Sequence, residues 1–476
     1  MPHRKNTNFF SEIDIFFKNS EDSAIQAMIT AMKAINMTDK RLGLSTYHNA
    51  CLSSSKKLQN LVFLPFLGCK GISHLNYSCV AGSVGYNMLY RMMRLDSIDW
   101  RNVQARFNKH LYKYLESHTE KERDGVVCLV ADDTDIAKSG RKMEHIGRVY
   151  SHTEHRHILG FKGLVLGRND GKTFIPLDFS LHAEKGKEGN QGLSAKDRKA
   201  RLSTAPGEST PASVRHKECF GSKIDTLLEM VSRAHKGGVD FDYLLLDSWF
   251  VCDKVIKAVT ALGDGHHVLG MLKTNVNKFD VGGEKLTTGM MVSKFKKTRK
   301  KRCRKYHCEY IVVDTEMNGT PVRLFLCRRT KQDGWKALLT TNTALSFIKA
   351  YEIYAMRWSI EVCYKECKQY LRLEGNQAQY FNSQIASVTV CLMQYALLSV
   401  VKRMNCYETL GGLFRNTMAD TVEFTLYERI LLVLKDILEE YTKFVGFPNK
   451  KIVQKFLSDN QILEKIKDSK LLKIRA

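Results

Sequence analysis

Tyr354-Ala-Met-Arg357-Trp-Ser-Ile-Glu361-Val-Cys-Tyr-Lys365-Glu-Cys-Lys368 is the stretch on which the reading of this chain turns. At about 100° per residue, a helix brings positions 354, 357, 361, 365 and 368 into one stripe. That stripe carries Tyr, Arg, Glu and two Lys, while Ile353, Ile360 and Leu371 offer an apolar side for packing. A solvated face with i,i+4 ion pairs is the ordinary account of such a pattern. The alternative is a carboxylate that holds a divalent metal, flanked by cations that hold phosphates. The rest of the chain decides between them.

With 476 residues, 43% of them apolar, the chain can build two to four structural units around a sizeable core. Its net charge of +24 exceeds what solubility requires and selects a polyanionic partner, nucleic acid before an anionic membrane. Thirteen cysteines without a CxxC pair read as reduced thiols of a cytoplasmic protein, not as a disulfide framework. The opening Met-Pro-His-Arg-Lys-Asn runs into a charged segment and shows no secretory signal. The apolar stretch Ile385 to Val401 falls short of a membrane span and contains Ser387, Thr389, Gln394 and Ser399, so it predicts a buried core helix. No GxxxxGK[ST] loop is present, which disfavours a nucleotide cofactor.

Residues 1–115 read as a helical, basic, DNA-binding region. At Gly125 the texture changes. Val126 to Ala131 is a continuous apolar run ending in Asp132-Asp133-Thr134, and Ile158–Gly167 and Thr173–Leu181 are two strands joined by the hairpin signal Asn169-Asp170-Gly171. A Lys-rich loop (Lys185 to Lys217) leads to a helix over Lys223–His235. Then come the strand Tyr243–Leu246 ending in Asp247, a helix over Asp253–Leu262 and the strand His267–Leu272. Three early strands followed by alternating helix and strand predict an α/β, ribonuclease-H-like catalytic core, its first part at 120–272. Residues 273–343 read as a β-rich basic insertion in which nine of the twelve residues from Lys294 to Lys305 are Lys or Arg. Residues 344–405 complete the core with the Glu361 helix, and 406–476 form a helical C-terminal region.

Two-metal phosphodiester chemistry needs about three carboxylates around a pair of Mg²⁺ ions. Asp133 and Asp247 follow apolar strands and Glu361 sits on a later helix, an order that suits the task. Each aspartate alone reads more simply as a helix cap or turn residue. Asp132 and Asp135 flank Asp133, and strand alternation by itself leaves open which of them faces the metals.

These residues resemble the signature of the IS4-family DDE transposases, insertion-sequence enzymes with a ribonuclease-H-like core and a β-strand insertion. Asp133-Thr134 is similar to the first aspartate motif, Tyr243-Leu-Leu-Leu-Asp247-Ser248 to the second, and Tyr354, Arg357, Glu361 and Lys368 match Tyr-x2-Arg-x3-Glu-x6-Lys. Leu89-Tyr90-Arg91 and Trp100-Arg101 are similar to the upstream region, so the likeness covers roughly residues 55 to 405. It implies that Asp133, Asp247 and Glu361 bind two Mg²⁺ ions, with Mn²⁺ able to substitute. It further implies that Tyr354, Arg357, Lys365 and Lys368 contact phosphates near the cut, and that Trp335 stacks on a flipped base during cleavage through a hairpin. The partner would be double-stranded DNA, both the terminal inverted repeats of the element and the target, held by a homodimer in a prokaryotic cytoplasm. The first Asp is preferred as Asp133 because it precedes Thr134. Two rival functions share these features: a catalytically inactive DNA-binding descendant, and a nuclease or resolvase that cuts without joining.

The density of Lys294 to Lys305 marks a phosphate-backbone contact, with Lys296, Lys297, Arg299, Lys300, Lys301 and Arg302 as its DNA-binding residues. His145, His152, His155 and His157 crowd one segment with Glu154. Without a cysteine pair or an HExxH they read as a basic hydrogen-bonding loop before zinc. Cys363 and Cys367, and Cys303 and Cys308 beside His307, read as ordinary thiols.

Overall fold

The computed structural model describes residues 16–17, 23–45, 52–69, 71–77, 85–119, 125–204, 206–445, 450–457, 459–467 and 469. Residues 1–15 and 78–84 of the expected N-terminal region and 470–476 of the expected C-terminal region lie outside them. The chain forms two compact units: Met1–Leu95 with Lys109–His118 and Leu397–Ala476, and Asp96–Asn108 with Thr119–Ala396.

The first unit is helical. Ser23 caps the helix Ala24–Ile35, and Ile25, Met28, Ile29, Met32 and Ile35 recur at helical spacing on its buried side. Asp420, on the long helix Leu410–Phe444, accepts from Ser23 Oγ and from Ile25 N, each at 3.0 Å. A carboxylate is well placed there, at the positive end of the first helix.

The second unit is built on a twelve-stranded sheet. Its first six strands are β1 (Cys128–Ala137), β2 (Gly147–Ser151), β3 (Arg156–Asn169), β4 (Phe174–His182), β5 (Tyr243–Leu246) and β6 (His267–Leu272). β3 pairs antiparallel with both β1 and β4, while β5 lies parallel to β1 and β6 parallel to β5. The resulting order β4-β3-β1-β5-β6 is the ribonuclease-H-like arrangement predicted from the strand pattern. The expected hairpin closes as Asn169-Asp170-Gly171 indicated: Gly171 takes a φ of +86°, and Thr173 N donates to Asp170 Oδ1 at 2.8 Å. β2 was not foreseen, and the expected loop 185–217 contains the short helices Ala195–Ala200 and Pro211–Glu218, the latter opened by a proline in its first turn.

The β-rich stretch supplies β7 (Lys278–Val281), β8 (Glu284–Thr287), β9 (Lys301–Cys303), β10 (Cys308–Met317), β11 (Thr320–Arg328) and β12 (Lys336–Thr340). These strands prolong the core sheet in the order β6-β12-β11-β10-β7-β8, with β9 paired to β10. β6 would otherwise present an open row of backbone donors and acceptors, and β12 covers it by antiparallel pairing from Ala337↔Leu272 to Thr340↔Leu269. Gly270 in β6 has a packing reason, since a Cβ there would run into the Val251 side chain.

The helix Phe381–Met404 is long and apolar enough to cross a membrane, but 94% of its apolar window is buried, as a core helix requires. Cys363 and Cys367 are buried thiols with sulfurs 3.9 Å apart.

Two buried polar groups shape the pH response. Asp178 on β4 accepts from Arg101 Nε at 2.9 Å and Arg233 Nε at 3.0 Å, and Arg101 also pairs with Glu218 at 2.8 Å. Nearby on β4, His182 is 3% exposed, with Nε2 2.7 Å from Ser180 Oγ. Burial and then the Lys223 charge push its pKa down to about 4. The unfolded chain takes up this proton near pH 6.5 while the folded chain resists it down to about 4, so stability is full above pH 6.5 and declines below. The gap corresponds to about 3 kcal/mol. Denaturant titrations of wild type and His182→Gln between pH 7 and 4 are expected to show a flatter acid limb for the variant.

Candidate active site

Two parallel strands bring the site together. β1 and β5 pair Cys128↔Tyr243 through Ala131↔Leu246, and one further step in that register sets Asp132 level with Asp247. Leu129, Ala131, Leu244 and Leu246 pack into the cluster that contains Leu227 and Val255 of the helices Lys223–Lys236 and Asp253–Thr260. Cys128 lies on the other side, its sulfur 4.0 Å from that of Met356. Because successive side chains alternate across a sheet, Asp132 and Asp247 share the Met356 side and Asp133 takes the opposite one.

The helical stripe meets Asp132 there. It is built by two helices, Phe347–Ala355 and Trp358–Gln369, separated at Met356–Arg357 by i,i+3 backbone bonds while Arg357 keeps right-handed helical angles. Arg357 Nη1 donates to Asp132 Oδ2 at 2.8 Å, and its Nη2 to Glu361 Oε1, so one guanidinium spans two carboxylates. Tyr364 Oη donates to the Asp132 carbonyl at 2.6 Å, and Tyr354 Oη to the Leu246 carbonyl at 3.4 Å. Both tyrosines thus fasten the helices to the strands that carry the aspartates. Burial pushes the Asp132 carboxyl up to about 6; Asp133 and Asp247 add to the rise, and Arg357 with the Asp133 amide opposes it. Asp247 is half-buried and has no side-chain hydrogen bond or ion pair among the described residues.

The expected first carboxylate, Asp133, is not brought to this cluster. Its side chain pairs with Lys223 on the opposite side of the sheet, and Lys223 also lies 4.3 Å from the centre of the exposed Trp249 ring. Asp135 pairs with Lys162, its direct neighbour on β3, which outweighs its burial and lowers its pKa. Of the three aspartates on β1, Asp132 is the one that faces Asp247 and the Glu361 helix. The sequence held a signal for this: Asp132 directly follows its apolar run, just as Asp247 directly follows Tyr243–Leu246. Lys223, Tyr364 and the exposed Trp249 and Trp358 were not foreseen.

The other expected contacts are distributed as follows. Lys365 is exposed and unpaired among the described residues, whereas Lys368 pairs with Glu374 at 3.1 Å. Trp335 packs partly against the core, with the Arg328 guanidinium 4.8 Å from its ring centre. In the basic hairpin, Lys300 pairs with Glu309 at 2.8 Å and Arg299 lies 4.1 Å over the Phe295 ring. Lys296, Lys297, Lys301 and Arg302 are exposed and unpaired among the described residues.

A family model described as DDE superfamily endonuclease matches residues 73–276, and one described as archaeal putative transposase ISC1217 matches residues 212–407. The chain is thus similar to DDE-type endonucleases and transposases over residues 73–407. The first match contains the β1 aspartates and Asp247, and the second contains Asp247 and Glu361. Neither separates the IS4 branch from the rest of the class. No curated protein matches the chain. Among solved structures, the piggyBac transposase synaptic complex with hairpin DNA aligns at a TM-score of 0.41 and 10% identity, over 96% of this chain and 86% of that chain.

Proposed function

We propose that the protein is a transposase of the IS4 type that binds the ends of its own insertion sequence, cuts them and joins them to target DNA. The observation that carries this reading is the Asp132–Asp247 step on adjacent parallel strands, with Glu361 linked to Asp132 through Arg357. The donors are all carboxylate oxygens, the set that hard Mg²⁺ prefers, so Asp132, Asp247 and Glu361 would hold the two ions. When bound, such ions activate the attacking oxygen and stabilise the leaving one.

The chain's own residues do the rest. Arg357 keeps Asp132 and Glu361 in place, Tyr354 and Tyr364 lock the helices onto β5 and β1, and Lys365 meets the phosphates beside the cut. Trp335 takes the flipped base of a hairpin intermediate, which would displace the Arg328 guanidinium from its ring. Lys296, Lys297, Lys301 and Arg302 follow the DNA backbone. Handling two element ends calls for two such sites, hence a homodimer, acting on DNA in a prokaryotic cytoplasm.

The test uses the full chain with labelled duplexes from the DNA that flanks the gene. Nicked and joined products are expected with Mg²⁺ or Mn²⁺ and none with EDTA. Tight binding without cleavage would replace this reading with the inactive DNA-binding one, and nicking without joining with the nuclease. Replacing Lys296, Lys297, Lys301 and Arg302 by serine is expected to flatten the dependence of log affinity on log salt by about 3.6, because each phosphate contact adds about 0.9 to the slope.

A further inference from the structure

Away from the carboxylates, Glu144, His145 and His216 bring one carboxylate and two imidazoles so close that their ligand atoms lie within 4.8 Å of one another. Glu144 and His145 precede β2, and His216 is in the helix Pro211–Glu218. Glu144 is 1% exposed and His216 9%.

We infer that these three side chains form a site for a transition-metal ion of the zinc class, with water as its fourth ligand. The first argument is that the ligands are themselves held. His216 Nε2 lies 3.2 Å from Asn382 Oδ1 and donates to it, which leaves Nδ1 as the lone-pair nitrogen, and Nδ1 faces His145 Nε2 at 2.7 Å. Glu144 Oε1 accepts from Thr204 N at 2.9 Å and from the Thr204 hydroxyl, and Oε2 accepts from Phe381 N at 2.8 Å. Outer partners that fix tautomer and orientation are the usual support of metal ligands.

The second argument is the backbone of His145, which adopts a φ of +58°. A left-handed conformation at a non-glycine residue costs free energy, and here it turns the imidazole towards His216. The site takes zinc when the two nitrogens spread to about 3.3 Å, the separation set by metal–nitrogen bonds near 2.0 Å in tetrahedral geometry. The His145 proton then moves to Nδ1, so both imidazoles stay neutral. Two nitrogens and one carboxylate oxygen suit Zn²⁺ and its spectroscopic substitute Co²⁺ better than Mg²⁺. The ion would clamp the segment before β2, the helix at 211–218 and, through Asn382 and Phe381, the start of the helix Phe381–Met404.

The experiment titrates Zn²⁺ into the full chain with Mg²⁺ in large excess, and compares wild type with His145→Gln, His216→Gln and Asp247→Ala. One zinc per chain is expected for wild type and Asp247→Ala, with affinity reduced at least tenfold in either histidine variant. Zinc that is lost in Asp247→Ala but kept in the histidine variants, or no zinc on wild type at all, would overturn the inference. A measurement on wild type alone guards against misfolded variants. The Co²⁺-loaded chain is expected to show the intense visible bands of a four-coordinate nitrogen-ligated ion, and the weak spectrum of an octahedral oxygen site would refute the assignment.

Discussion

Asp132→Ala is expected to abolish DNA cleavage as completely as Asp247→Ala and Glu361→Ala, while Asp133→Ala retains it. A metal-held transition state draws several kcal/mol from its ligands, and a loss of about 4 kcal/mol corresponds to roughly 10³-fold in rate. Asp133 faces the other side of the sheet and pairs with Lys223, so its removal affects folding before chemistry. The expected cost is about 1–2 kcal/mol in stability, with cleavage within about tenfold of wild type. Single-turnover cleavage rates, with thermal melting of each variant alongside, provide the check. An inactive Asp133→Ala beside an active Asp132→Ala would restore the first-aspartate assignment suggested by the Asp133-Thr134 motif.

Asp178→Ala is expected to destabilise the second unit by about 3–5 kcal/mol, because it leaves buried cations without their anion. Arg101, Arg215 and Arg233 converge on Asp178; without it Arg101 and Arg215 would share Glu218, and Arg233 would keep only the exposed Glu229 at 3.4 Å. Burial raises the Asp178 pKa, but the three arginines outweigh it and the net shift is downward. A lowered folded-state value means that this stabilisation is present above the unfolded carboxylate pKa near 3.9 and is lost as the pH falls through the folded one. Scanning calorimetry at pH 7 is expected to show a drop of about 10 °C. Replacing Asp178 by leucine and Arg233 by methionine together should recover part of it; a loss equal to the sum of the single variants would show that the charges do not act as a network.

The core strands were legible because buried parallel strands write themselves as unbroken apolar runs, and Val126–Ala131 and Tyr243–Leu246 are such runs. The Glu361 helix was legible because its charges recur at helical spacing. The choice among Asp132, Asp133 and Asp135 was not, since alternation gives two sides and only the packing of Leu129 and Ala131 against Leu227 and Val255 shows which side the helices occupy. The ion partners Lys223 and Lys162 lie 90 and 27 positions away, beyond any local pattern. The junction of 273–343 with the core was hidden for a related reason: a strand pattern does not name its neighbour, and β12 found the open edge of β6.

That junction makes the sheet a ruler. Four ladder steps separate β5, which carries Asp247 at its end, from β10, which supports the basic hairpin. At about 4.8 Å per step they are roughly 19 Å apart. Duplex DNA rises about 3.4 Å per base pair, so the span equals about six base pairs, close to half a helical turn. Hydrogen-bonded strands hold that interval without a hinge, so under the proposed function the point where the hairpin would grip the backbone fixes how far away the bond brought to the carboxylates would lie.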